Sequence, residues 1–282
     1  MIEARSHATL TACRLAFAAV LGGLIAFAAV GADIDSASAL VRQKVPASSS
    51  PSDLGLPGSW SLVFDDEFDG SSLDPTKWTP NWLGPTRGAV TDPVSTQEIA
   101  CYSPSRARVT GGSLHLVAVA RPCTSVSGKH YAYSSGIVQS HDQFQFTYGL
   151  MEARIWLPPN GGQVQNWPAF WADGTGAWPS TGEIDVMEGL ESQLCWHFHY
   201  TGGAAGSCFA PSASGWHVYA ADWEPGGITF YFDGKLVGST TEGITSSPMY
   251  LVVDLGLSST ASPPVVAPSR LKVDYVHVWQ HA

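Results

Sequence analysis

A chain of 282 residues with 44% hydrophobic side chains can bury a sizeable core and is too apolar to be disordered. Its formal charge of −10, with 14 basic residues and none in a run, excludes a polyanionic partner such as nucleic acid and disfavours an acidic ligand, so a neutral one fits best. Eleven Trp suit either a core or a surface that stacks on sugar rings, and composition does not separate the two.

The chain opens with a targeting pattern. Arg5 and Arg14 precede an apolar stretch over residues 15–31, and Ala37-Ser38-Ala39 offers a small-residue cleavage site. Residues 1–39 therefore read as a secretory signal peptide and the protein as secreted. A membrane anchor is the alternative, because about 17 apolar residues is marginally long enough to span. Leu10-Thr11-Ala12-Cys13 resembles a lipoprotein box but lies before the apolar run, where such a box would follow it. Residues 40–59, with Pro46-Ala47-Ser48-Ser49-Ser50-Pro51-Ser52, read as a linker, leaving one folded domain over 60–282.

Inside that domain the pattern is strands. Ser113-Leu114-His115-Leu116-Val117-Ala118-Val119 alternates, as does Gly149-Leu150-Met151-Glu152-Ala153-Arg154-Ile155-Trp156-Leu157. Ile228-Thr229-Phe230-Tyr231-Phe232 and Lys235-Leu236-Val237-Gly238 flank Asp233-Gly234 as a hairpin. Residues 249–257 and 271–279 add two β-rich runs. With 29 Gly and 19 Pro and no capped 3.6-residue periodicity, the fold class is all-β, a sandwich or barrel. After signal removal Cys101, Cys123, Cys195 and Cys208 remain. Export suggests two disulfides, and sequence proximity favours Cys101–Cys123 and Cys195–Cys208 among the three connectivities.

The segment Thr181-Gly182-Glu183-Ile184-Asp185-Val186-Met187-Glu188-Gly189 carries the chemistry. On a strand Glu183 and Asp185 share a face, and one extra residue in a bulge at Val186-Met187 returns Glu188 to it. Crowded carboxylates raise one another's pKa, so one member tends to keep its proton. Glycoside hydrolysis needs that division between an attacking carboxylate and a proton-donating carboxyl. This assigns Glu183 as nucleophile, Glu188 as acid then base, and Asp185 as the group between them. Four strand steps separate Glu183 from Glu188, roughly 13 Å between Cα atoms, so the side chains must lean together. An exposed acidic strand and a calcium site fit the same three residues.

Gly182-Glu183-Ile184-Asp185-Val186-Met187-Glu188 resembles the bulged E-[ILV]-D-x-x-E signature of family 16 glycoside hydrolases, laminarinase-like β-glucanases among them. Val63-Phe64-Asp65-Asp66-Glu67-Phe68, Gly111-Gly112-Ser113-Leu114, Tyr148-Gly149-Leu150-Met151-Glu152-Ala153-Arg154, Asn166-Trp167-Pro168-Ala169-Phe170-Trp171, His199-Tyr200 and Val273-Asp274-Tyr275 extend the likeness. The resemblance implies a β-jelly-roll sandwich of two curved antiparallel sheets with an open cleft on the concave one, and retention of anomeric configuration. It implies sugar contacts at Trp167, Trp171, Arg154, His199 and Glu98, although Gln97 replaces the usual Asn beside Glu98. It also implies a structural calcium at Glu67, the Gly112 carbonyl and Asp274, with no cofactor needed for the chemistry. The expected activity is a monomeric, secreted endo-1,3-β-glucanase acting on polysaccharide, away from membranes once the signal is cleaved. A mixed-linkage β-1,3-1,4-glucanase, a β-galactan hydrolase, a transglycosylase and a non-hydrolytic glucan-binding module are the competing readings. The Trp178-Pro179-Ser180 segment and the loop closed by Cys195 and Cys208 are the departures that bear on specificity.

Overall fold

Eighteen strands and one 3-10 turn (Pro104–Arg106) make up the regular structure of the described residues, 50–210 and 213–282 of the computed structural model. The expected signal peptide and the linker up to residue 49 lie outside them. In chain order the strands are β1 (Trp60–Asp66), β2 (Ala100–Tyr102), β3 (Ala107–Val109), β4 (Leu114–Ala118), β5 (Cys123–Thr124), β6 (His130–Tyr131), β7 (Tyr133–Ser135), β8 (Ile137–Gln139) and β9 (Gly149–Leu157). There follow β10 (Trp167–Gly174), β11 (Glu183–Leu190), β12 (Gln193–Tyr200), β13 (Gly203–Ala210), β14 (Gly215–Glu224), β15 (Gly227–Phe232), β16 (Lys235–Thr240), β17 (Met249–Gly256) and β18 (Ser269–His281).

Two antiparallel sheets hold most of them. The larger runs β16-β15-β14-β9-β18-β4-β3 with β1 paired to β18, and the smaller runs β13-β12-β11-β10-β17-β8. Strict alternation sends one set of side chains from each sheet into a shared core: Phe170, Ile184, Phe198, Leu251 and Val253 from the smaller, Ala153, Ile155, Tyr219, Phe230 and Val276 from the larger. Trp196 of β12 stacks on Phe230 of β15 at 4.4 Å between ring centroids, joining the layers directly. The β15–β16 hairpin turns at Asp233-Gly234, both at positive φ, as a two-residue turn between right-twisted strands requires.

Both disulfides form in the pairing that proximity favours, Cys101–Cys123 and Cys195–Cys208. The fold begins earlier than expected. Residues 50–59 are not a free linker: Ser50 and Asp53 close a turn, and Leu54, Leu56 and Trp60 pack over Leu150, Ala220 and Trp279 on the outer face of the larger sheet. The leucines in this stretch have an apolar surface to cover, which the Pro/Ser composition disguised.

Candidate active site

The smaller sheet presents its second face to a cleft of about 1020 Å³. Its floor is a grid set by strand register. One rung runs Tyr250, Asp173, Glu183, His199; the next Val252, Trp171, Asp185, His197; the third Asp254, Ala169, Glu188, Cys195. Between Asp185 and Glu188 the pairing slips: three residues of β11 span two of β12. Val186 and Met187 both enter the core while Asp185 and Glu188 both face the cleft, so the bulge aligns the three carboxylates.

Each carboxylate has its own surroundings. Asp185 is 5% exposed and its Oδ2 is buried without a hydrogen bond. Glu183 keeps more solvent contact, its side chain 18% exposed. His199 Nε2 stands 3.4 Å from Asp185 and 3.7 Å from Glu183. Glu188 accepts from Trp167 Nε1 at 2.8 Å and contacts His197 Nδ1 through its other oxygen. Ligating atoms of Glu183, Asp185 and His199 lie within 4.8 Å of one another, as do those of Asp185, Glu188 and His197, so Asp185 bridges the two glutamates. Burial and the neighbouring Asp185 push Glu183 up to about 9, and burial and Glu188 push Asp185 well above the usual range. The pair therefore retains at least one proton at neutral pH.

A second acidic group braces the cleft wall. Tyr102 Oη lies 2.6 Å from Glu98 and 2.8 Å from Asp254, whose other oxygen accepts Trp171 Nε1 at 2.8 Å. One hydroxyl carries one hydrogen, so one of the two carboxyls must itself be protonated and donate to Tyr102. Burial and the neighbouring Asp254 raise Glu98 to about 8, and burial, with a smaller push from Glu188, raises Asp254 to about 7.

Glu98, Trp167, Trp171, Glu183, Asp185, Glu188 and His199 thus gather around one cleft. Arg154 does not. It lies on β9 of the larger sheet, pairs with Asp274 at 2.8 Å and covers the Trp216 ring at 4.8 Å, so its expected place in the cleft is corrected. Strand alternation told which face it takes, but not of which sheet. At the positions expected to hold calcium, Asp274 pairs with the Arg154 guanidinium at 2.8 Å and Glu67 meets His277 Nε2 at 2.7 Å.

Sequence reading passed over His197, Asp173, Asp254 and Trp82. His197 shares a strand face with His199 by the i, i+2 rule, a signal available once His199 was placed. The Trp82 ring lies tilted against Trp171, 5.5 Å between centroids, from a loop with no periodicity to announce it. Trp178, 60% exposed, stands 5.9 Å from His199 at the cleft mouth.

The family pattern described as glycosyl hydrolases family 16 matches residues 100–276. The endo-1,3-1,4-beta-glycanase EglC of Rhizobium meliloti (strain 1021) is 30% identical over 77% of this chain and 51% of its own length. A beta-glucanase of Rhodothermus marinus is also 30% identical, over 78% of this chain and 85% of its own length. The endo-1,3-beta-glucanase (laminarinase) catalytic domain of Thermotoga petrophila RKU-1 superposes with a TM-score of 0.67 at 24% identity, covering 80% of this chain and 99% of that domain, which makes the sandwich a jelly roll. The chain spans only about half the length of the first of these relatives. With its pattern spanning most of both sheets and its carboxylate strand inside the match, this chain belongs to glycosyl hydrolase family 16 and is a glycoside hydrolase.

Proposed function

We propose that the protein is a secreted, retaining endo-β-glucanase that hydrolyses β-1,3-glucosidic bonds. The observation that carries the reading is the bulge, which turns Glu183, Asp185 and Glu188 onto one cleft face, with the Trp167 indole on Glu188. Asp185, the more buried acid, keeps the shared proton, leaving Glu183 ionised for attack on the anomeric carbon. As the C–O bond to the leaving sugar breaks, Glu188 gives that oxygen its proton and a glycosyl ester forms on Glu183. Water then attacks the same carbon, Glu188 takes its proton, and the ester bond breaks. Two inversions restore the starting configuration. Indole faces at Trp167 and Trp178 suit the apolar faces of neutral sugar rings, while Trp171, 5% exposed, lies under Trp82.

The names of the relatives divide between 1,3 and 1,3-1,4 linkages, so mixed-linkage cleavage is the second reading. Two disulfides, one of them against the cleft floor, support an oxidising compartment and hence export. Reducing-sugar release and product profiling on laminarin, curdlan, lichenan, xyloglucan and agarose, with Glu183→Gln as control, test all of this. Laminarin cut to short oligomers, with loss of roughly 10³-fold or more in the variant, supports linkage and nucleophile. Cleavage of another polymer keeps the mechanism and discards the linkage. Activity surviving in Glu183→Gln removes the nucleophile assignment.

A further inference from the structure

Glu188 is held at both oxygens by nitrogen neighbours, and only the indole has a fixed role. Trp167 Nε1 is a donor and nothing else, and it reaches Oε2. Oε1 meets His197 Nδ1, a ring nitrogen that can donate or accept. We propose that His197 is a positioning residue for Glu188: its Nδ1–H holds the carboxyl rotamer and stabilises the carboxylate that forms when the proton has left. The inference rests on the reading of Glu188 as acid then base.

The backbone is arranged to aim this ring. His197 pairs with Asp185 on one side and with Gly206 on the other. A Cβ at Gly206 would overlap the imidazole, so glycine there lets the ring lie down across β13 with Nδ1 turned to β11. In the adjoining rung Cys195 and Cys208 staple β12 to β13 beside Glu188, fixing the strand that carries the ring. The neighbouring imidazole serves the other end of the site. His199 approaches Asp185 and Glu183, and its ring centroid is 6.0 Å from that of His197. Each glutamate thus has its own histidine.

The chemistry gives this arrangement a specific consequence. In the first step the bond from the anomeric carbon to the leaving oxygen breaks, the bond to Glu183 forms, and the Glu188 proton passes to that oxygen. Charge appears on Glu188, where two N–H groups already point at it without reorganisation. In the second step Glu188 recovers a proton from water, and the His197 proton never leaves its ring. Losing the Nδ1–H therefore hurts most where the leaving group needs a proton, and least where it departs unaided.

The test uses aryl β-glycosides of the repeating disaccharide from whichever polymer the wild type cleaves, with phenol and 2,4-dinitrophenol as leaving groups. His197→Ala should lower kcat/KM for the phenyl glycoside about 10–100-fold, a fraction of what acid–base catalysis contributes, and for the dinitrophenyl glycoside less than about 3-fold. His197→Asn, whose amide N–H falls close to Nδ1, should restore most of the loss. Gly206→Ala keeps the imidazole but displaces it, and should reproduce the leaving-group pattern should the alanine variant at 197 fold poorly. Equal losses on both leaving groups, or an asparagine variant no better than alanine, would overturn the proposal. Glu188→Ala run alongside separates the two layers. A phenyl-selective loss with azide rescue upholds the acid–base role whatever His197 does, and a uniform loss without rescue removes that role and the proposal with it.

Discussion

Replacing Tyr102 with Phe removes one oxygen from the wall of the cleft and leaves two buried carboxyls without the group they share. Glu98 and Asp254 are 8% and 5% exposed, and each contacts Tyr102 Oη within 2.8 Å. Stranding a buried polar partner costs about 1–3 kcal/mol, so the pair predicts a loss of about 2–5 kcal/mol and a Tm lower by roughly 5–15 °C for a domain of this size. The proton count adds a sign. Burial raises Glu98 from 4.5 to about 8 and Asp254 from 3.8 to about 7, so the folded state keeps a proton that the unfolded chain has released above about pH 4. This contribution is complete below the unfolded pKa and is lost as pH rises through the folded values, at about 1.4 kcal/mol per pH unit for each proton retained. The proton that Asp185 keeps acts in the same direction. Urea unfolding from pH 5 to pH 9 reads both effects. Glu98→Gln mimics the protonated acid, with an amide N–H for Tyr102, and should leave stability at pH 5 nearly intact while flattening the slope above it. A Tyr102→Phe protein within about 0.5 kcal/mol of wild type, or a Glu98→Gln protein with an unchanged slope, would refute the shared-proton reasoning.

Three further outcomes follow from the register and the corrections. Deleting Val186 takes out the extra residue of the bulge and leaves strict alternation, with the glutamate still opposite Cys195 and on the face of Asp185. Polymer hydrolysis should therefore persist, while loss of the buried valine lowers the Tm in thermal denaturation. Hydrolysis abolished in a folded variant would refute the register. Arg154→Met should leave KM for polymer unchanged, since the side chain lies outside the cleft. It should still cost about 1–3 kcal/mol in chemical denaturation by stranding Asp274, and a raised KM would return Arg154 to substrate binding. Replacing Cys195 and Cys208 together by Ser opens a loop of separation 13 and should cost about 2–4 kcal/mol, measured by urea unfolding against the oxidised parent.

What could be read without a structure was local. The bulge at Val186-Met187 was legible because a fixed spacing of three acids leaves few ways to bring them to one face, and the slip in pairing with β12 falls between Asp185 and Glu188. The all-β class and the Asp233-Gly234 turn were legible for the same reason, since period and turn chemistry act over a few residues. What was hidden depends on pairing between distant segments. Asp254 reaches the Glu188 rung only through β17 beside β10, and Asp173 reaches Glu183 only through the register of β10 on β11. Arg154 was misplaced because alternation fixes a face but carries no label for the sheet.

The same limit explains where the proposed division of labour in the site comes from. Glu183, Asp185 and Glu188 are chemically alike, and nothing along β11 distinguishes them. Their neighbours on other strands do so: burial without a hydrogen bond at Asp185 Oδ2, His199 between Asp185 and Glu183, and two nitrogens on Glu188. Depth and donor count are what separate a carboxyl that keeps its proton from one that must lose and regain it within a turnover. The strand supplies three acids on one face, and the sheet around it supplies the environments in which they differ.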